Sequence, residues 1–154
     1  MRNTSELIER VMALMADEFM VYIQRSNSRI VALPSGLETT DFMDLTDDYD
    51  LLMEEVEQNP NDYYQVEPLS SREIYNLMMD FSLEQERVDS LCLVKALRTK
   101  EPLNNFKVAL KTLGPVMESS WQTYYSDRLR RILRSRFCKE HIHVMNENCN
   151  EDNV

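Results

Sequence analysis

A chain of 154 residues with 43% hydrophobic side chains is long enough to bury a core of its own. Its net charge of −10 at pH 7 sets it against anionic partners such as nucleic acid and membrane surfaces. Only two glycines are present, which argues against a glycine-rich phosphate loop, a barrel or a sheet with many tight turns.

The charge is uneven. Residues 1–68 hold 15 acidic and 4 basic side chains, 69–127 hold 8 and 7, and 128–154 hold 4 and 6, so the acidic excess sits in the front of the chain and a basic end follows it. The simplest role of that excess is solubility. The N-terminus has no positive region followed by an apolar run, so no signal peptide is expected, and no stretch approaches the ~18 apolar residues of a membrane span. Three cysteines form no disulfide framework, and a reducing cytoplasm is the expected compartment.

In chain order, residues 4–18 read as a helix, with Leu7, Ile8, Val11, Met12, Leu14 and Met15 at helical spacing and Thr4 or Ser5 as cap. Phe19 to Arg25 then alternates. Phe19, Val21 and Ile23 share one face, and Met20 and Tyr22 the other. Ser26-Asn27-Ser28 is a turn cluster and Arg29 to Leu33 a second β-rich run, which predicts a hairpin. Residues 37–43 read as a loop. From about Asp44 to Gln58, Leu45, Tyr49, Leu52, Met53 and Val56 make one apolar stripe, and Asn59-Pro60 stops that helix. Tyr63 to Val66 is a candidate third strand.

Two capping boxes follow, Ser70 with Glu73 and Ser82 with Gln85. The first opens a helix carrying Ile74, Leu77, Met78 and Phe81. The second is predicted to open another, running to about Thr99, with Val88, Leu91, Cys92, Val94 and Ala96 as its apolar surface. Pro102 opens the next helix, in which Phe106, Leu110 and Leu113 face inward. Gly114 suits a left-handed C-terminal position and Pro115 forbids continuation. A final helix is predicted from about Val116 to Arg136. Residues 1–139 read as one globular domain and 140–154 as a flexible polar tail. The fold class expected is α+β, mostly helical, with a small antiparallel sheet of two or three strands near the N-terminus.

From Tyr63 onward the order of residues carries a resemblance. Tyr64-x-Val66-x-Pro68-x-Ser70 is followed by Glu73-x-Tyr75-x-x-Met78-x-x-Phe81, then Leu91, Ala96-Leu97, Lys100-x-Pro102, Phe106-Lys107-x-x-Leu110, Gly114 and Trp121. This resembles the bacterial Uncharacterised Protein Family 0158, over roughly Phe19 to Phe137. Leu103 stands where that family usually has phenylalanine, Gln122 where it has tyrosine or phenylalanine, and the hairpin turn carries Asn27 without glycine. The resemblance implies a bacterial cytoplasmic protein of unassigned activity and offers no catalytic residues to carry over.

Several constellations have both a functional and an ordinary reading. Asp44, Thr46, Asp48, Asp50 and Glu55 match the ligand spacing of a calcium loop, but Tyr49 stands where that loop needs glycine, and an acidic helix face explains the same residues. Cys138, His141, His143 and Cys149 are four zinc-ligand types in a short span, without the paired spacing of a structural site. Arg128, Arg130, Arg131, Arg134 and Arg136 could track RNA phosphates, or suit a helix C-terminus and pair with carboxylates such as Glu54, Glu55 or Glu57. Trp121, Tyr124 and Tyr125 with Phe106 could stack a ligand ring, but their spacing is that of core packing. The ten methionines read as soft core filling or as a Met-lined groove. No nucleophile–base pair is recognisable, Cys92 sits on an apolar helix face, and no cofactor is expected. The structural residues expected to matter most are Phe106, Gly114, Pro115, Trp121 and Tyr125.

The function these readings favour is a non-catalytic interaction or regulatory module with an unidentified protein partner, self-association included. An RNA- or ribosome-associated protein using the arginine helix is the first alternative, and an enzyme with an unrecognised site the second.

Overall fold

The computed structural model describes residues 4–34, 46–140 and 142. In chain order the described elements are α1 (Thr4–Ala16), β1 (Phe19–Gln24), β2 (Ile30–Pro34), α2 (Thr46–Gln58), β3 (Tyr63–Val66), α3 (Ser71–Leu83), α4 (Arg87–Leu97), α5 (Pro102–Leu113) and α6 (Pro115–Lys139). The fold is α+β and mainly helical. It divides into two compact units, one of Met1–Pro68 with Arg130–Val154 and one of Leu69–Leu129.

The first unit is built on a three-stranded antiparallel sheet of order β2-β1-β3. Alternation along β1 sends Val21 and Ile23, both fully buried, to one face. Ile8 and Val11 of α1 and Leu133 and Phe137 of α6 are also fully buried, and Phe137 meets Tyr64 of β3 edge to face. Met20 and Tyr22 point to the opposite face. There they join Val31, Leu33 and Tyr63 in one apolar cluster with Leu52, Met53 and Val56 of α2. The sheet is therefore apolar on both faces, which is why β1 shows no polar side.

Glycine is scarce, so left-handed corners fall on other residues. Glu18 closes α1 at φ 65°, its amide donating to the Met15 carbonyl, and Ser28 takes φ 57° in the β1–β2 loop. Asn27 supports that loop through Oδ1, which accepts from the Arg29 amide.

The second unit packs α3, α4, α5 and the start of α6. Ser70 caps α3 with a complete capping box: its hydroxyl accepts from the Glu73 amide, and the Glu73 carboxylate accepts from the Ser70 amide. The second predicted box is absent. Ser82 lies inside α3, fully buried, and its hydroxyl donates to the Met78 carbonyl one turn back. A serine that back-bonds within a helix cannot cap the next one, so α4 starts later, at Arg87 after Glu86. Pro102 opens α5, and Gly114 ends it at φ 116°, ψ 170°.

The core of this unit is an aromatic cluster. Trp121 is 5% exposed and lies between Phe81, Phe106, Tyr124 and Tyr125, with ring centroids 5.1–6.1 Å away. The edge-on pairs with Phe81 and Phe106 add roughly 0.5–1.5 kcal/mol each beyond the area they bury. Leu93 and Leu97 bring α4 into the same cluster.

Candidate functional site

The aromatic residues singled out in the sequence are brought together, as core. Phe106 is fully buried, Trp121 nearly so, and Tyr125 is half-buried against Trp121. Burial raises the phenol pKa of both Tyr124 and Tyr125. This arrangement leaves no flat indole face for a base to stack on.

The arginines divide by partner. Arg130 donates through Nε to Glu9 of α1, and Arg136 donates through Nη1 to the Glu67 carbonyl at 2.8 Å. The Arg128 guanidinium lies 4.9 Å over the Tyr124 ring. Arg134 is engaged as well, and Arg131 is exposed. The carboxylate named in these pairs is Glu9, while Glu54 accepts from Gln58 of its own helix and Glu55 is held by the sheet. An i, i+4 glutamine beside Glu54 satisfies it locally, without a distant cation.

Glu55 belongs to a compact clip between α2 and the sheet. Arg29 of the β1–β2 loop donates to Glu55 Oε2 at 2.6 Å and to the Tyr63 hydroxyl at 3.0 Å, and that hydroxyl donates to the same Glu55 oxygen at 2.7 Å. The hydrogen bonds from Tyr63 and Arg29 hold the Glu55 carboxyl below its ordinary value, and burial pushes the Tyr63 phenol up. Of the residues with calcium-loop spacing, Thr46, Asp48, Asp50 and Glu55 lie within α2, a helix where such a site has a loop, and Asp44 lies outside the described residues.

Of the zinc-type residues only Cys138 is described. It is disulfide-bonded, so it has no thiolate to offer a metal. His141, His143 and Cys149 lie outside the described residues. Among the described residues no group of three or more His, Cys, Asp or Glu is placed to hold a metal ion. Cys92 is a half-buried free thiol. Two residues of the stretch read as a tail, Glu140 and Ile142, are described. Glu140 accepts from Arg25 through its carbonyl at 2.6 Å and its carboxylate at 2.8 Å, and Ile142 is 2% exposed with its amide bonded to the Phe137 carbonyl. An isoleucine can enter the core even when its neighbours are polar.

Two features escaped the sequence reading. The first is the outer face of α4, where Val88 is 77% and Leu91 62% exposed. The apolar residues of Arg87–Leu97 are spread around the helix between Arg87, Asp89, Ser90 and Lys95, so spacing cannot say which stripe enters the core, and Leu93 and Leu97 do. The second is an open groove of about 800 Å³ in the second unit. Glu84 and Gln85 after α3 line one side and Val116, Ser120, Thr123 and Asp127 of α6 the other, with Phe81 and Tyr124 as its aromatic lining. A smaller cavity of about 350 Å³ in the first unit, beside Tyr64 and Arg136, mixes Lys139 with Glu67 and Glu140.

Among the described residues no helix is long and apolar enough to cross a membrane. No curated protein and no solved structure matches the chain. The model of the Uncharacterised protein family (UPF0158) does match, over residues 3–151, beyond both ends of the stretch that carries the resemblance in sequence, and the chain belongs to that family.

Proposed function

We propose that the protein is a non-catalytic interaction module. The observation that carries this reading is the outward apolar face of α4: Val88 and Leu91, one turn apart, stand in solvent while the opposite stripe of the same helix fills the core. Exposed apolar side chains that repeat on one helix face are a usual mark of a docking surface. The arginine helix supports an RNA partner less well, because Arg130 and Arg136 already bond within the fold and Arg128 sits on Tyr124.

The test is co-purification of the full chain from its host, compared with the double variant Val88→Glu, Leu91→Glu. The expected result is a stoichiometric protein partner, or a second copy, that the variant loses while its melting temperature stays within about 2 °C of the parent, as for exposed substitutions. An unchanged set of partners would sink the reading. So would RNA binding that weakens steeply with salt and is lost on Arg131→Glu, in favour of the RNA-associated alternative.

A further inference from the structure

We propose that the groove between the end of α3 and the first turns of α6 receives a cationic amphipathic helix from a partner protein, which names the partner class of the interaction module above and rests on that reading. The α6 side of the groove runs from Val116 to Asp127. At 1.5 Å per residue that is a trough about 16 Å long, enough for about three turns of a docked helix. Ser120 and Thr123 present small side chains along it, so a second helix can approach closely. Val116, 81% exposed, and the half-buried ring of Tyr124 offer apolar contact for the stripe of such a helix, while Phe81 beneath them is core.

Charge selects among helices of that shape. Glu84 and Asp127 line the groove, and its lining includes no lysine or arginine. Asp80 lies close enough to act on Tyr124 as Glu84 does. Arg128, next in the chain to Asp127, is spread over the Tyr124 ring. An acidic helix or an anionic surface is therefore repelled, and a helix whose apolar stripe is flanked by lysines is attracted. This chain's own basic segment is a poor occupant, because Arg130 and Arg136 hold Glu9 and the Glu67 carbonyl.

The test uses the full chain and fluorescence anisotropy with a labelled Leu/Lys helix of about 15 residues, long enough to fill the trough. Two controls have the same length: a scrambled peptide of equal charge and a Leu/Glu helix. Saturable binding of the Leu/Lys helix alone is expected. Ser120→Trp, which fills the trough, and Glu84→Lys, which reverses its rim, should each weaken binding by about tenfold or more. Both positions are exposed, and unchanged melting curves certify the fold of each variant. Val88→Glu with Leu91→Glu should leave peptide binding unchanged. Equal binding of the scrambled peptide, or binding indifferent to both groove variants, would show only attraction to a chain of net charge −10 and would overturn the proposal. Self-association abolished by Ser120→Trp would overturn it in favour of a second copy. If no peptide binds but partner capture still depends on Val88 and Leu91, the groove assignment falls and the interaction module stands. If the peptide binds as expected while that capture fails, the α4 surface falls alone.

Discussion

Gly114 combines φ 116° with ψ 170°, a backbone state that only glycine adopts readily. A Cβ placed there meets nothing within 4 Å, so the cost of alanine is backbone strain alone. Gly114→Ala should lose about 1–3 kcal/mol in denaturant unfolding. The reverse case is Glu18, a left-handed residue with a side chain. Glu18→Gly should gain about 1 kcal/mol, and a loss would mean that its carboxylate contacts outweigh the relief. Trp121 lies at the centre of its cluster, and Trp121→Ala should cost about 3–5 kcal/mol by thermal melt. Ile142 is buried on a segment that looks dispensable in sequence, so Ile142→Ala should cost about 2–5 kcal/mol, and an unchanged melt would mean the segment is undocked in solution.

Elements here are decided at their ends. The two serines that open capping-box patterns should part company on substitution. Ser70→Ala removes a working cap and should cost about 1 kcal/mol. Ser82→Ala removes a hydroxyl that only back-bonds within α3 and should change stability by less than about 0.5 kcal/mol. The clip on α2 should titrate. The Glu55 carboxyl is held below its ordinary value in the fold, so its contribution is complete above the ordinary carboxylate range, near pH ~4.3, and is lost as pH falls through the depressed value. Melting temperature measured down that range should fall more steeply for the parent than for Glu55→Gln. Equal slopes would mean that Glu55 does not carry the acid sensitivity.

For the whole molecule, the contiguous unit Leu69–Leu129 has its own buried cluster and the chain's single tryptophan. Its size is near the lower limit at which a core holds a chain folded. Expressed alone, it should keep helical circular dichroism and a blue-shifted Trp121 emission. Emission like that of free tryptophan in water would show that the unit needs the rest of the chain. The acidic excess lies in the first 68 residues, and the groove adds carboxylates in the second unit. Raised salt should therefore weaken the complex with a cationic helix proposed above.

What the sequence determined by itself are the features written in local chemistry. Alternation along Phe19–Gln24 defined both faces of β1, because side chains there have a strict period of two. Pro102 and the Gly114-Pro115 corner defined the bounds of α5, because proline fixes φ and lacks an amide hydrogen, and glycine readily takes the positive φ at the end. The family, too, was legible from the spacing between Tyr64 and Trp121. Tertiary structure decided the rest wherever two local readings had equal standing. Ser82 could cap one helix or continue another, and in the fold it is buried inside α3 with its hydroxyl on the Met78 carbonyl. The apolar stripes of α4 competed, and the fit of Leu93 and Leu97 to the aromatic core left Val88 and Leu91 outside. The groove exists only because α3 ends beside α6, and a pairing of distant segments leaves no periodic trace in either one.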